Sequence, residues 1–461
     1  MKKIFILILY SILFFVSFLF LTLLPWNEEK NQPLTDLKPT VAIPPKPQIE
    51  KEGQYLKDFS FIREKFILEK KDFLEANLGE MKFNIYEAGS LTKELPIFAR
   101  GKPDDWGGTP LGSYQISSKY RIAYSLAADS YMPWSLQIYG KYFIHGENYD
   151  VRGNVDSSLI TGGCVRLKNQ NAKIVYDATE IDMPILVTDR GFENDDYRYP
   201  NAKNKDLLKI SAKNYLVADL DSGFVFSDSN RQEKIPLGSI AKLMTAVIIF
   251  ENVDLRKPIL ITPYVLEPPG DTKDLKTGKV FRVFEFFWPL LVESSSDAAK
   301  ALSISMGEGK TVRLMNEKAK ATLMEGTNFV DPLGLSEENI TTSEDLFYLA
   351  RYLLNSRPTL LKISRGEKIQ TFGYPLSFTN LDNKNIFFDD PNFVGGKTNY
   401  MDAPRASGLF VFKLLQKDGT ERKVAIILFG SESSEGPQAG LKKDTEQVLN
   451  WLKENYFKET Q

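Results

Sequence analysis

The chain opens on an apolar stretch, Ile4–Leu24, interrupted only by Tyr10, Ser11, Ser17 and Thr22. As a helix it would span roughly 31 Å, about one bilayer core. Residues 27–54 are charged and carry Pro33, Pro39, Pro44, Pro45 and Pro47, the composition of an extended tether. Phe59, Ile62 and Phe66 then fall at helical spacing. From about Asp72 the period becomes two: Met81, Phe83 and Ile85 alternate with Lys82, Asn84 and Tyr86, and Glu87–Ser90 turns into Leu91–Phe98. Tyr142-Phe143-Ile144 reads as a buried strand that ends on His145. Asn169 stands where it could cap a helix with Ala172, Val175 and Tyr176 on one face, and Pro184–Thr188 reads as a last strand. Arg190–Asp206 is polar, flecked with aromatics and without period, the mark of a linker. Beyond it, Tyr215–Asp219 and Phe224–Phe226 flank a turn at Asp221-Ser222-Gly223. Ser239 heads an apolar helix, Thr342 with Asp345 three residues on caps another, and Leu409–Leu415 and Val424–Phe429 flank Asp418-Gly419. A final helix is expected near Leu441–Asn455.

Composition narrows what these elements can do. A length of 461 residues suggests two or three domains. Against 60 acidic residues stand 58 basic ones, so no basic field for nucleic acid is present. There is one Cys and one His, which rules out an intrachain disulfide and a Cys/His zinc site; no metal and no cofactor are expected. Lys2 and Lys3 before the apolar run place the N-terminus inside, and Trp26 would sit at the interface. A cleaved signal peptide is the rival, but the run ends on Leu23-Leu24-Pro25-Trp26 rather than on small residues. An uncleaved single-pass anchor over 1–26 is the expectation, with the body exported.

The lone Cys and the lone His lie close together in sequence. Phe143-Ile144-His145-Gly146 is followed, after a polar loop, by Thr161-Gly162-Gly163-Cys164-Val165-Arg166. A Cys nucleophile needs a base, and His is the usual one. The glycines let the backbone pass tightly before Cys164, whose N–H and its neighbours' could face a developing oxyanion. Arg166 shares a face with Cys164 in extended chain and adds positive charge there.

The order His-Gly, loop, Gly-Cys-Val-Arg resembles the YkuD-type L,D-transpeptidases of bacterial cell walls. Thr109-Pro110-Leu111-Gly112-Ser113-Tyr114 resembles their Thr-Pro-x-Gly-x-Phe/Tyr element, and the likeness covers about 72–189. It implies that Cys164 is the nucleophile, His145 its base, and the Gly146 carbonyl the group that orients the imidazole. Gly163 and Arg166 would then serve substrate binding. Trp134 and Tyr139 could line the donor groove or simply pack in the core. The chain departs from the family in reading Thr161-Gly162-Gly163-Cys164 where most members read Ser-His-Gly-Cys.

In the second half, Ser239-Ile240-Ala241-Lys242 puts a hydroxyl and an amine on one helix face. A neutral amine beside a hydroxyl is a base–nucleophile pair. With Leu243-Met244-Thr245-Ala246, Ser294-Ser295-Ser296, Phe329–Leu335 and Gly396-Lys397-Thr398-Asn399, this resembles the D-alanyl-D-alanine carboxypeptidases among the low-molecular-weight penicillin-binding proteins, over about 210–455. The likeness implies Ser239 as nucleophile, Lys242 as base, Ser294 as proton relay, and Lys397 with Thr398 as the holders of a substrate carboxylate. Two motif residues differ: Ser296 stands for an asparagine, and Asn399 for a glycine. An intact Lys276-Thr277-Gly278 lies too early in the chain and outside any apolar strand.

The expected architecture is an anchor at 1–26, a tether and short helix at 27–71, a mostly-β YkuD-like domain at 72–189, a linker at 190–209, and an α/β (α+β) domain of the β-lactamase/penicillin-binding-protein kind at 210–455. Together the likenesses imply a bifunctional peptidoglycan enzyme on the outer side of a bacterial cell membrane. Ser239 would trim stem pentapeptides to tetrapeptides, and Cys164 would use tetrapeptides as acyl donors. The partners implied are stem peptides, β-lactams as covalent inhibitors, and the membrane. The alternative is a membrane-anchored wall-binding protein whose serine domain only holds substrate.

Overall fold

The computed structural model describes residues 55–103, 106–126, 128–189, 191, 195, 197–199, 208–269, 274–369, 371–400 and 406–458. The expected membrane anchor, the tether up to 54 and most of the linker lie outside the described residues. Among the described residues, no helix is long and apolar enough to cross a membrane.

Helix α1 (Phe59–Leu68) starts where Asp58 accepts from the Ser60 N–H. The transpeptidase-like region follows as β1 (Phe73–Asn77), β2 (Lys82–Glu87), β3 (Ser90–Pro96), β4 (Arg100–Gly101), β5 (Gly112–Gln115), β6 (Ser118–Ser125), β7 (Ser130–Tyr139), β8 (Tyr142–His145), β9 (Ile160–Thr161), β10 (Val165–Arg166), α2 (Asn169–Ala178) and β11 (Pro184–Thr188). Two sheets face each other, ordered β3-β2-β1-β11-β5 and β10-β8-β7-β6, with β4 paired to β9 as a short third piece. Leu74, Phe83 and Ile185 from the first sheet and Ile144 from the second are all buried in one hydrophobic cluster. The expected cap of α2 is displaced by one residue: Lys168 is the N-cap, and Asn169 is the first helical residue. Its side-chain oxygen is already committed, accepting from the Glu147 N–H at 2.9 Å.

The second region contains β12 (Asn214–Asp219), β13 (Val225–Ser229), β14 (Ile235–Pro236), α3 (Ala241–Asn252), β15 (Pro258–Leu260), β16 (Val280–Arg282), α4 (Phe287–Leu291), α5 (Ser296–Met306), α6 (Glu308–Ala321), β17 (Ile340–Thr341), α7 (Ser343–Ser356), α8 (Pro358–Ser364), β18 (Phe393–Asn399), β19 (Ala406–Leu415), β20 (Glu421–Ser431) and α9 (Pro437–Asn455). Its main sheet runs β13-β12-β20-β19-β18, antiparallel throughout. α3 is mostly apolar and almost wholly buried, Lys242 and Glu251 included, so it runs through the middle of a large core. Thr342 caps α7 as expected, its hydroxyl accepting from the Asp345 N–H at 3.0 Å.

The two regions do not stand apart on a loose linker. One cluster of buried side chains runs continuously from Leu56 and Ile144 through Tyr139 to Leu243, Phe287 and Ile427. Tyr199, in the expected linker, packs on Phe224, Phe226 and Tyr456, and its hydroxyl donates to Asp219. Tyr199 therefore packs against the second region's core.

At the centre of the shared core lies an ionic cluster with no exposure. Glu251 on α3 receives Lys318 of α6 at 2.8 Å and Arg357, just after α7, at 2.8 Å. Tyr352 also donates to it. From the other region, Tyr114 of β5 accepts from Lys318 at 2.9 Å. Burial pushes the Glu251 carboxyl up, and the two cations more than offset this, holding it below the usual carboxylate range. Removing one member of a buried, paired cluster leaves uncompensated charge, at a cost of about 3–5 kcal/mol. Glu251→Gln is thus expected to lower the melting temperature measurably, with both regions unfolding in one calorimetric transition. Two separate transitions, only one of them shifted, would show that the regions do not share a core.

Candidate active sites

The first site is built where β8 and β10 run parallel, with Arg166 in register with His145. Continued by one residue, that register sets Cys164, just before β10, opposite Phe143, two residues before His145 on β8. Nδ1 of His145 lies 2.6 Å from the Gly146 carbonyl. A carbonyl can only accept, so Nδ1 carries the proton and Nε2 is left as the basic nitrogen. Burial, reinforced by Arg166 and opposed by the Gly146 carbonyl, pulls the imidazole down to about 4, so it is neutral at physiological pH. Cys164 is half-buried. Burial pushes its thiol above the usual value, although the Phe143 N–H, Arg166 and Lys141 all pull the other way. Near neutral pH both the Cys164 thiol and the His145 imidazole are therefore uncharged.

The loop before Cys164 is held by Thr161. Its hydroxyl donates to the Cys164 carbonyl at 2.6 Å and accepts from the Gly163 N–H at 3.1 Å. This corrects one expectation: the Gly163 N–H is occupied and does not face an oxyanion. Gly163 is needed for its backbone instead. Its φ is 126°, and a Cβ there would lie 2.3 Å from the Tyr142 ring. Arg166 is also corrected as a direct substrate contact. Its guanidinium is buried and bonds the Asp156 and Ser158 carbonyls at 3.1 and 2.9 Å and the Asp156 carboxylate at 2.8 Å. It braces the 156–158 loop and reaches Cys164 only through its field. Tyr139 is a core residue whose ring lies tilted against Tyr114, whereas Trp134, half-buried, packs on Tyr176.

In the second site Ser239 lies in a short 3₁₀ turn, Gly238–Ile240, that leads into α3. Nζ of Lys242 is 3.3 Å from the Ser239 hydroxyl. Burial lowers Lys242 to about 8, with Asp331 opposing. Burial, then repulsion from Lys242, brings Lys397 to about 7. The positive charge of Lys242 thus disfavours the charged form of Lys397. Lys397 and Thr398 are buried on β18, and the Thr398 hydroxyl donates to the Lys384 carbonyl at 2.9 Å. Ser294 sits between α4 and α5 with φ 64°, a left-handed conformation that a serine seldom adopts. Ser295 caps α5, and Ser296 is its buried first residue. Lys276-Thr277-Gly278 is an exposed turn.

Asn399 has a specific contact. Its Oδ1 accepts from the Ser239 N–H at 3.1 Å. In acyl transfer the nucleophile's own N–H is a natural donor to the oxyanion, and here that donor is occupied. Gly238, φ 54°, provides the space: a Cβ on it would lie 2.3 Å from the same oxygen.

Family comparison agrees with both halves. The YkuD L,D-transpeptidase catalytic domain matches residues 71–187. The D-alanyl-D-alanine carboxypeptidase family, peptidase S11, matches 200–420. The chain joins a YkuD-type domain to a D-alanyl-D-alanine carboxypeptidase-type domain. Among curated relatives of the second domain, a D-alanyl-D-alanine endopeptidase of Pseudomonas aeruginosa is 29% identical over 198 residues, 41% of this chain and 58% of that one. The carboxypeptidase DacF of Bacillus subtilis is 24% identical over 243 residues, 51% of this chain and 61% of the relative. The chain thus spans about three fifths of the length of these relatives. A crystal structure of a Mycobacterium tuberculosis D-alanyl-D-alanine carboxypeptidase, 23% identical, superposes with a TM-score of 0.47 over 56% of this chain and 95% of that one.

Proposed function

We propose that the protein is a bifunctional peptidoglycan-modifying enzyme, held at the outer face of a bacterial cell membrane by residues 1–26. Cys164 attacks the carbonyl that precedes the terminal D-alanine of a stem tetrapeptide, and its proton passes to Nε2 of His145. The C–N bond breaks, the departing D-alanine takes that proton, and a thioester remains. An amine of a neighbouring stem then attacks the thioester and restores the thiol. Ser239, with Lys242 as base and Ser294 as relay, attacks the carbonyl before the terminal D-alanine of a pentapeptide stem; the C–N bond breaks, D-alanine leaves with the serine proton, and water then hydrolyses the ester and restores the hydroxyl. Lys397 holds the substrate carboxylate, and Thr398 joins it once its hydroxyl leaves the Lys384 carbonyl. The observation that carries the reading is the bond from His145 Nδ1 to the Gly146 carbonyl, which leaves Nε2 free to serve the chain's single thiol.

The test incubates the purified full chain with defined muropeptides and reads the products by mass. Tetrapeptide substrates should gain cross-links or exchange D-alanine, and pentapeptides should lose one D-alanine. Intact substrates after prolonged incubation contradict the proposal. A second reading, in which the serine domain only binds wall peptides, is favoured by the bond between Asn399 Oδ1 and the Ser239 N–H. Under it, the first product set forms and the second does not. Protease added to spheroplasts should digest both domains while the chain stays with the membrane; a soluble mature form beginning near Trp26 would overturn the anchor.

A further inference from the structure

Arg357 carries more hydrogen bonds than its ion pair needs. It lies in the carboxypeptidase-type domain, between α7 and α8, with no exposure. Glu251 already has Lys318, so Arg357 adds a second buried cation to one carboxylate. Burying an extra charge is unfavourable unless it holds something in place. Besides one bond within its own domain, to the Ser356 carbonyl at 2.6 Å, the rest of its fork points across the domain boundary. One arm donates to the Gly108 carbonyl at 2.7 Å and to the Gly107 carbonyl at 3.3 Å; the other donates to the Tyr142 hydroxyl at 3.1 Å.

Those acceptors form the wall behind the Cys164 loop. A Cβ on Gly163 would lie 2.3 Å from the Tyr142 ring and 2.7 Å from the Gly108 carbonyl oxygen. A Cβ on Gly101 would lie 2.6 Å from the Gly163 Cα and 2.8 Å from the carbonyl carbon of Gly108. Backbone thus stacks on backbone, and the turn that aims Cys164 can shift only if the 107–108 loop or Tyr142 shifts. Arg357 fixes both with one planar group.

We propose that Arg357, supplied by the carboxypeptidase-type domain, is a positioning residue for the Cys164 site. It acts through the Gly108 carbonyl and Tyr142 on the turn at Gly163. The role rests on Cys164 being the nucleophile of the first domain, and it makes the second domain part of the first one's active-site support.

Four variants of the full chain test it: Arg357→Met, Arg357→Lys, Tyr142→Phe and Lys318→Met. The readouts are kcat and KM for Cys164-dependent D-alanine exchange, and the pH profile of alkylation by iodoacetamide, which has one thiol to find. Arg357→Met is expected to lower kcat about 10- to 100-fold with KM little changed, because the turn is misaimed while substrate contacts remain. It should also displace the alkylation profile. Arg357→Lys keeps the charge without the fork and should recover part of the loss. Lys318→Met loosens the same cluster without touching the 107–108 loop, so it should lower the melting temperature and spare kcat. The proposal is overturned if folded Arg357→Met matches wild type in both readouts, or if Arg357→Met and Lys318→Met lose activity in proportion to stability. Should Arg357→Met not fold, wild-type kcat and alkylation in both Arg357→Lys and Tyr142→Phe overturn it. If wild type shows no exchange, the transpeptidase reading has failed, and the alkylation profiles alone decide the role of Arg357.

Discussion

Cys164→Ala abolishes D-alanine exchange on tetrapeptide stems, and His145→Ala lowers it by about 10²- to 10⁴-fold, the usual worth of a positioned general base. No other thiol in the chain can substitute for the first, and no other imidazole for the second. The pH dependence follows from the same geometry. His145 is held at about 4, so it is already in its basic form near neutrality and contributes no fall in rate between pH 8 and 5. Acidification takes the activity away only on approaching pH 4, where the imidazole gains a proton. Burial lifts the Cys164 thiol, so the rate should still climb into the alkaline range as thiolate accumulates. The check is kcat/KM for exchange from acid to alkaline pH in wild type and His145→Ala. A bell centred on an ordinary histidine value in wild type would contradict the assignment of tautomer and burial.

Asn399→Gly combined with Ser296→Asn raises the rate of penicillin acylation at Ser239. Forming the oxyanion requires the Ser239 N–H, and Asn399 Oδ1 must give it up first. One hydrogen bond lost or spoiled in a buried site is worth about 1–3 kcal/mol. If that falls wholly on the transition state, the gain is roughly 5- to 150-fold. Most of it should come from Asn399→Gly, since Ser296 is buried at the start of α5 and makes a shorter-reaching donor than asparagine. Wild type should label slowly and Ser239→Ala not at all. Labelling that is equally fast in wild type and the double variant would remove the obstruction from the account. No labelling in either would make the serine domain a binding module.

Much of this was legible in the sequence because the chemistry is concentrated in rare residues. One Cys, one His and their glycines pointed to the first site, and the carbonyl partner that the family resemblance implied for His145 is the one it has. The helix and strand periods placed the β-rich half, α3 and the β18–β20 sheet. What could not be read was anything set by contacts between distant segments. Arg357 precedes a proline after an ordinary amphipathic helix, and nothing local marks it as the partner of Gly108 and Tyr142. Parity put the Arg166 charge on the side of Cys164, where its field does act on the thiol, but parity gives a face and not a partner: its guanidinium bonds Asp156 and Ser158. Asn399 stood out as a departure from a glycine, but its bond to the Ser239 N–H depends on how β18 meets the turn at Gly238. The shared core was hidden because nothing local in Tyr114, Tyr139 or Phe250 marks a partner in the other domain.

The central claim is that Cys164 is an acyl-accepting nucleophile served by His145. Peptide-mapped mass spectrometry after exposure of the full chain to a carbapenem tests it most directly. The account predicts the drug's mass on the peptide containing Cys164, none there in Cys164→Ala, and slow addition in His145→Ala. An unmodified Cys164 in wild type, or a Cys164 adduct formed equally fast in His145→Ala, would contradict it.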